Sequence, residues 1–411
     1  MQRGDQRTLD GGEVQEARPA LPAPGLMVVD RLARRLRRGT LNLRLPDGSS
    51  RRYAGPEAGP AATLELHNWR LPRRYFSGGS VGFAESYIDG DWDSPDLAGL
   101  LELLDRNSDA WGQGYYGKAL TRLAGRVAHA FRRNHRRGSE RNIHAHYDLG
   151  NDFFSAWLDP TMTYSSARFT GGNEDLETAQ REKYRSLARL IGLAPGHRLL
   201  EIGSGWGGFA ITAAQEFGAE VHSITISREQ HAFASRRVQE LGLGERVTID
   251  YRDYRDVRGP YDRVASIEMF EAVGEAYWPI YFGKLREVLL PGGIAGLQII
   301  TIADQHFASY RRSPDFIQRY IFPGGMLPSP GALRERIAAA GLELQDQIAF
   351  GACYARTLAL WAERFHAAWD TLDRSKFDAR FRRIWDYYLA YCEAGFRTGS
   401  TDVVQLAVAR R

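Results

Sequence analysis

The residues of this 411-residue chain best suited to chemistry are Leu199-Leu200-Glu201-Ile202-Gly203-Ser204-Gly205-Trp206-Gly207-Gly208-Phe209-Ala210. An apolar run suited to a buried strand breaks into a glycine turn and resumes from Phe209 to Ala214 as a helix. Gly203, Gly205 and Gly208 fit G-x-G-x-x-G, in which glycine permits a tight turn and close approach to a ligand at a helix N-terminus. NAD and S-adenosylmethionine both use such turns. An NAD site asks for an acidic residue on the ribose about 20 residues later, at the tip of the second strand. Here that strand ends Ser223-Ile224-Thr225-Ile226, without a carboxylate. S-adenosylmethionine has no pyrophosphate to cradle and needs hydrogen-bonding turns instead. The loop and the order of strands favour S-adenosylmethionine as the cofactor.

Strand and helix alternate around that turn. Glu220 to Ile226 reads as a strand, with a helix from Ser227, and Val247 to Tyr251 as the next strand. Tyr261 to Ile267 follows, leading into Glu268-Met269-Phe270-Glu271. A helix from Tyr277 to Leu289 stops at a Pro291-Gly292-Gly293 turn before the strand Ile294 to Ile302. Leu342 to Phe350 and Asp402 to Ala409 supply two final strands with long helices between them. This alternation predicts a parallel sheet covered on both faces, and the last pair predicts an antiparallel edge. The expected fold is α/β: a doubly wound class I methyltransferase with a seven-stranded, mostly parallel sheet and a small α+β N-terminal domain.

The domains divide accordingly. Residues 1–24, rich in Gly, Pro, Ala and charge, are expected to be disordered. Residues 25–110 form the α+β unit, with a basic helix from Leu26 to Gly39, strands at Thr40 to Leu45 and Ala62 to His67, and helices at Gly78 to Ile88 and Leu97 to Leu104. Residues 111–141 form a basic helical connector, and 142–411 the methyltransferase domain. Within the latter, His144 to Phe154 is dense in polar and aromatic residues with poor helical periodicity, which suits a loop facing a ligand. The helix Leu176 to Ile191 then leads to the glycine turn.

Composition narrows the class. Hydrophobic content of 43% and aromatic content of 11% allow a sizeable core. No apolar run reaches the roughly 18 residues of a membrane span, and the stretch from Met1 to Arg7 lacks the apolar region of a secretory signal. The two cysteines, Cys353 and Cys392, suit a reducing cytoplasm and exclude a disulfide scaffold or a Cys-rich zinc site. Net charge is a modest +4, yet arginines crowd 31–38 and 132–137. They form either solvated helix faces or a surface for phospholipid headgroups or a phosphate backbone, and charge alone does not choose. No Asp/Asn-Pro-Pro-Tyr motif of base methylation is present, which argues against nucleic acid.

Further motifs follow in order: His146-Tyr147-Asp148-Leu149-Gly150-Asn151-Asp152, Tyr164-Ser165, Thr225-Ile226-Ser227 with Gln230, Asp253-Tyr254-Arg255-Asp256, Met269-Phe270-Glu271, Tyr320-Ile321-Phe322-Pro323 and Gly395-Phe396-Arg397. With the glycine turn, they resemble the cyclopropane-fatty-acyl-phospholipid synthases and the mycolic acid cyclopropane synthases, densely over residues 130–411. The resemblance implies that Tyr164, Ser165, the turn from Glu201 through Gly203, Ser204, Gly205 and Trp206 to Gly207, Thr225, Gln230, Tyr254 and Arg255 line the S-adenosylmethionine site. Glu271 and Tyr354 would hold a bicarbonate ion that serves as base, and Cys392 falls near the active site. It further implies a lipid-carrier-like N-terminal module, a membrane phospholipid substrate, and a homodimer peripheral on the inner, cytoplasmic face of the membrane.

The implied chemistry is methyl transfer to an acyl-chain double bond, which leaves a carbocation. An apolar cavity lined by aromatic faces would shelter it, with Tyr164, Phe270, Tyr310, Tyr320, Phe322 and Tyr354 as candidates. Proton loss from the new methyl closes a cyclopropane; proton loss after a hydride shift gives a methylene branch. The sequence departs from the family where the base should sit. Ser166 stands for the usual cysteine, Gln298 for the usual histidine of the fifth strand, and Ala272 for the histidine after the glutamate. Serine and glutamine can hydrogen-bond an anion, but neither titrates near neutral pH. Cyclopropanation is the first expectation and a methylene- or methyl-branched chain the second. A methyltransferase for a soluble molecule and a non-catalytic lipid-binding protein are the alternatives of other classes.

Overall fold

The computed structural model of the protein describes residues 24–111 and 149–411. The expected disordered N-terminus, the basic connector and the stretch through His146-Tyr147-Asp148 lie outside these residues, apart from their ends.

The N-terminal unit opens with α1 (Pro24–Ala33). Strands β1 (Arg38–Arg44), β2 (Ser50–Ala54), β3 (Glu57–Leu66) and β4 (Trp92–Asp93) form a sheet in the order β2-β1-β3-β4. β1 runs antiparallel to β2 and parallel to β3. The basic helix therefore ends at Ala33 instead of Gly39, and Arg38 already belongs to the sheet. Gly39, at φ +79°, passes so close to β3 that a Cβ there would lie 2.2 Å from the Pro60 carbonyl oxygen. Helix α2 (Arg70–Ile88) starts earlier than its periodicity predicts and kinks at Gly79, where φ is +61°. Asp96 caps α3 (Leu97–Arg106) by accepting the Gly99 N–H, and the single turn α4 (Ser108–Trp111) follows. Leu41, Leu43, Leu64 and Leu66 alternate inward from the sheet onto Leu100 and Leu103 of α3.

In the larger unit, the expected loop contains the short helix α5 (Asn151–Ser155), because Phe153 and Phe154 bury against Trp157 and Trp385. After α6 (Leu176–Leu190) come β5 (Arg198–Ile202), α7 (Gly208–Phe217), β6 (Glu220–Thr225), α8 (Arg228–Glu240), β7 (Val247–Tyr251) and β8 (Tyr261–Ile267). Next are α9 (Trp278–Val288), β9 (Leu289–Ile302), α10 (Asp304–Tyr310), α11 (Pro330–Ala339) and β10 (Glu343–Ala349). Helices α12 (Gly351–Ala368) and α13 (Ala379–Thr398) precede β11 (Thr401–Ala409).

The seven strands run in the order β10-β11-β9-β8-β5-β6-β7, with β11 antiparallel to both neighbours. This is the predicted class I methyltransferase sheet. One detail differs: Pro291-Gly292-Gly293 lies inside β9, because Leu289 pairs with Tyr261 and a register shift before Ile294 absorbs the extra residues. The chain proceeds from β5 to β6 and β7 on one side, then returns to place β8 on the other. That reversal opens a crevice over the carboxyl ends of β5 and β8, where ligands of such sheets bind.

Helix α13 joins the two units. Arg383 donates to the Tyr87 and Trp92 carbonyls at 2.7 and 3.1 Å and to Asp93 at 2.9 Å. A continuous apolar core runs from Leu43 and Trp92 to Trp361 and Trp385.

Candidate active site

A single cavity of about 510 Å³ occupies the crevice and extends into the N-terminal unit. The glycine turn forms one wall. Gly203 takes φ +98° and Gly205 φ +49°, and a Cβ on Gly205 would meet nothing within 4 Å, so the turn presents bare backbone to open space. Ser204 and Trp206 line the same wall, and the Trp206 indole is fixed by a 2.7 Å hydrogen bond to Asn151 Oδ1. Gly207 does not line the cavity; at φ +88° it starts α7 and packs toward Ala234.

Polar partners surround the turn. Thr225 donates to Gln230 Oε1 at 3.0 Å, which leaves the Gln230 amide NH2 to donate elsewhere. Tyr254 and Arg255 line the far side, where Arg255 is held by Asp253 at 2.5 and 2.8 Å. Glu201 is buried and accepts from Ser223 Oγ, and burial pushes its carboxyl up to about 8. Ser165 is fixed from behind: Lys183 Nζ donates to its hydroxyl at 2.5 Å and Gln180 to its carbonyl at 2.9 Å. Lys183 is fully buried, and desolvation brings its ammonium down to about 7. Tyr164 meets Tyr388, hydroxyl to hydroxyl, at 2.7 Å.

The chemical end of the cavity centres on Glu268, a residue the motifs did not single out. It follows β8 directly and has φ +48°, a left-handed conformation that turns its carboxylate under the cavity. Its Oε1 accepts the Ser166 N–H and the Gln298 amide, each at 2.8 Å. Its Oε2 accepts the Tyr354 phenol at 2.7 Å. Ser166 and Gln298 are thus brought together, but neither lines the cavity. The Ser166 hydroxyl turns to its neighbour Ala167, and the Gln298 carbonyl oxygen accepts from Gln405.

Glu271 also lines the cavity. One oxygen accepts the Ile300 N–H at 2.6 Å; the other is buried without a hydrogen bond. Burial and the charge of Glu268 push Glu271 up to about 8. Cys392 faces the cavity with its thiol pushed up by burial, so it stays protonated and is no nucleophile. Among the aromatic candidates, Tyr164, Tyr310, Phe322 and Tyr354 line the cavity. Phe270 instead stacks in the core with Trp278, and Tyr320 is spent on a 2.6 Å bond to Glu85. Tyr388 and Phe396 join the lining unforeseen.

Residues 134–406 match the family model described as mycolic acid cyclopropane synthetase. The chain belongs to that family. It is an S-adenosylmethionine-dependent methyltransferase from a group that acts on lipids. A tuberculostearic acid methyltransferase of Mycobacterium tuberculosis is 41% identical over 407 residues, covering 96% of this chain and 93% of the relative. The cyclopropane-fatty-acyl-phospholipid synthase of Escherichia coli K12 is 34% identical over 349 residues, covering 85% and 88%. The crystal structure of mycolic acid cyclopropane synthase CmaA1 complexed with SAH and CTAB superposes with a TM-score of 0.61 at 29% identity, covering 66% of this chain and 97% of that one.

The glycine turn fits S-adenosylmethionine. Bare backbone at Gly203 and Gly205 leaves room for a ligand, and the Gln230 amide NH2 is an uncharged donor suited to hydroxyl groups. Arg255 is already neutralised by Asp253 and offers no cradle for pyrophosphate. Among the described residues, no cluster of side chains could hold a metal ion, and no helix is long and apolar enough to cross a membrane.

Proposed function

We propose that this enzyme methylates the double bond of an unsaturated acyl chain carried on a membrane phospholipid, and that the chain leaves with a methylene branch. The observation that carries the reading is the match along nearly the whole of both chains to a methyltransferase named for a methyl-branched acid. The cavity supports an acyl substrate. From Glu268 and Tyr354 it continues between α1, β1, β3, α2 and α3, lined by Val28, Leu32, Leu41, Leu64, Phe83 and Leu104. An acyl chain has no polar atoms to satisfy there, and burial stabilises it by about 25 cal/mol per Å². Met27 and Phe76 are exposed at this end of the unit, beside Arg31, Arg34 and Arg73. Apolar side chains among guanidinium groups suit an anionic bilayer, hence a peripheral position on the inner membrane face.

When bound, S-adenosylmethionine supplies an electrophilic sulfonium methyl. The protein must shelter the resulting chain cation and remove one proton. Tyr164, Phe322, Tyr354 and Tyr388 offer ring faces within the mainly apolar lining of the cavity. Cyclopropane formation is the second reading, favoured by the similarity to the Escherichia coli synthase.

The test is incubation with methyl-labelled S-adenosylmethionine and vesicles of a monounsaturated anionic phospholipid. Label in the lipid, with the terminal =CH2 protons of a methylene branch by NMR, is the expected result. Cyclopropyl protons would replace it with the second reading, and label confined to a soluble molecule would end both.

A further inference from the structure

The proton removed from the chain needs an acceptor at the cavity. The resemblance to cyclopropane synthases implies a bound bicarbonate held by Glu271, Tyr354 and neighbours, but the donors here are already engaged. The Tyr354 phenol, the Ser166 N–H and the Gln298 amide all bond to Glu268, and the Ile300 N–H bonds to Glu271. A further anion would also have to sit beside two buried carboxyl groups, with its charge desolvated. Bicarbonate does not fit this site.

We infer that Glu268 is the resident general base, its carboxylate performing from the protein the task a bound anion would otherwise perform. The inference rests on the acyl-methylation reading above. Geometry carries it: a carboxylate that touches the cavity, supported by three donors from three different segments and delivered by a strained backbone. Among the described residues only Met162 shares a positive φ without being glycine. Such strain persists where surrounding contacts over-determine it, and it clusters at functional sites. The two neighbouring carboxyls divide the roles. Burial raises both carboxyls, but at Glu271 the charge of Glu268 adds to the rise, whereas at Glu268 the Lys183 ammonium and the three donors oppose it, so the negative charge is better held at Glu268.

The steps balance. The alkene π pair attacks the sulfonium methyl carbon, whose bond to sulfur leaves as a thioether lone pair. A hydride then moves from the methylated carbon to its cationic neighbour. Glu268 takes a proton from the transferred methyl, and that C–H pair becomes the C=CH2 double bond of the methylene branch. Without the hydride shift, the same C–H pair closes a cyclopropane. Glu268 serves either product, and the order of the two events selects between them.

The experiment pairs turnover with an anion-binding readout that needs no cofactor. In bicarbonate-depleted buffer, wild-type turnover on phospholipid vesicles is expected to be unchanged. Glu268→Gln should lose about 100-fold in kcat, with S-adenosylhomocysteine affinity within about twofold (about 0.4 kcal/mol) of wild type. Glu268→Gly, which relieves the positive φ and opens the donors, should broaden the ¹³C line of added bicarbonate where wild type does not, and should regain turnover with it. Wild-type turnover that requires bicarbonate, a ¹³C line broadened by wild type, or a Glu268→Gln variant that keeps most of its kcat would overturn the inference. If wild type modifies no lipid, the function reading fails separately, and the ¹³C line still decides whether Glu268 fills the anion position.

Discussion

Tyr354, in the first turn of α12, donates its phenolic hydrogen to Glu268 Oε2 at 2.7 Å across 86 positions of sequence. This bond favours the charged carboxylate against a burial that raises its pKa. Tyr354→Phe removes the donor, so the Glu268 pKa should rise further. The expected outcome is a kcat near neutral pH lowered about 10-fold or more. The pH–rate profile should keep its basic plateau while the rising limb moves to higher pH. A uniform loss at every pH would assign Tyr354 to packing alone, through its contact with Phe396 at 4.4 Å.

Gly203 tests the cofactor wall independently of the base. Its φ of +98° is strained for any L side chain, and a Cβ would lie 3.2 Å from Met269 Cγ. Gly203→Ala should destabilise the fold by about 1–2 kcal/mol. Part of that strain falls on the ligand, so S-adenosylhomocysteine should bind about 10-fold more weakly (about 1.4 kcal/mol) by calorimetry. Unchanged affinity would move the ligand away from this turn.

Sequence periodicity revealed the sheet because its strands are buried on both faces and read as apolar runs between turn residues. The glycine turn was legible for the same local reason. Where tertiary pairing overrides local signals, the reading drifted. Gly39 reads as a helix stop but sits in the sheet against Pro60, and Pro291-Gly292-Gly293 reads as a turn but lies within β9. The motifs led to Glu271, yet Glu268 is the residue that gathers Ser166, Gln298 and Tyr354. Its role depends on a positive φ and on partners far apart in sequence, and neither has a periodic trace. One signal existed. Two of the departures from the family pattern, Ser166 and Gln298, meet at Glu268, an acidic residue three positions before Glu271.

The buried carboxyls impose a pH dependence on stability. Glu271 is raised from 4.5 to about 8 by burial and by Glu268, and Glu201 behaves alike. The folded state therefore holds these protons more tightly than the unfolded chain. Their contribution is fully present below about 4.5 and is lost as pH rises toward 8. Lys183, lowered from 10.5 to about 7, acts in the opposite direction only above about 7. Between about pH 5 and 7, urea midpoints should fall as pH rises, and Glu271→Gln should flatten part of that slope. An identical slope in the variant would mean that Glu271 titrates normally.

Arg383 ties substrate access to the joint between the units. Its guanidinium bonds to the Tyr87 carbonyl, the Trp92 carbonyl and Asp93, and lies 4.0 Å from the centre of the Tyr87 ring. Loss of this fork in Arg383→Ala should cost about 2–3 kcal/mol. Arg383→Lys should recover little, since an ammonium cannot satisfy three divergent acceptors in one plane. The aliphatic end of the cavity is built from the N-terminal unit, whereas the glycine turn belongs to the larger one. Loosening the joint should therefore raise the KM for vesicle phospholipid about 10-fold (about 1.4 kcal/mol) while S-adenosylhomocysteine affinity stays within about twofold. Equal losses at both ligands would show that the N-terminal unit supports the whole fold without forming a separate acyl subsite.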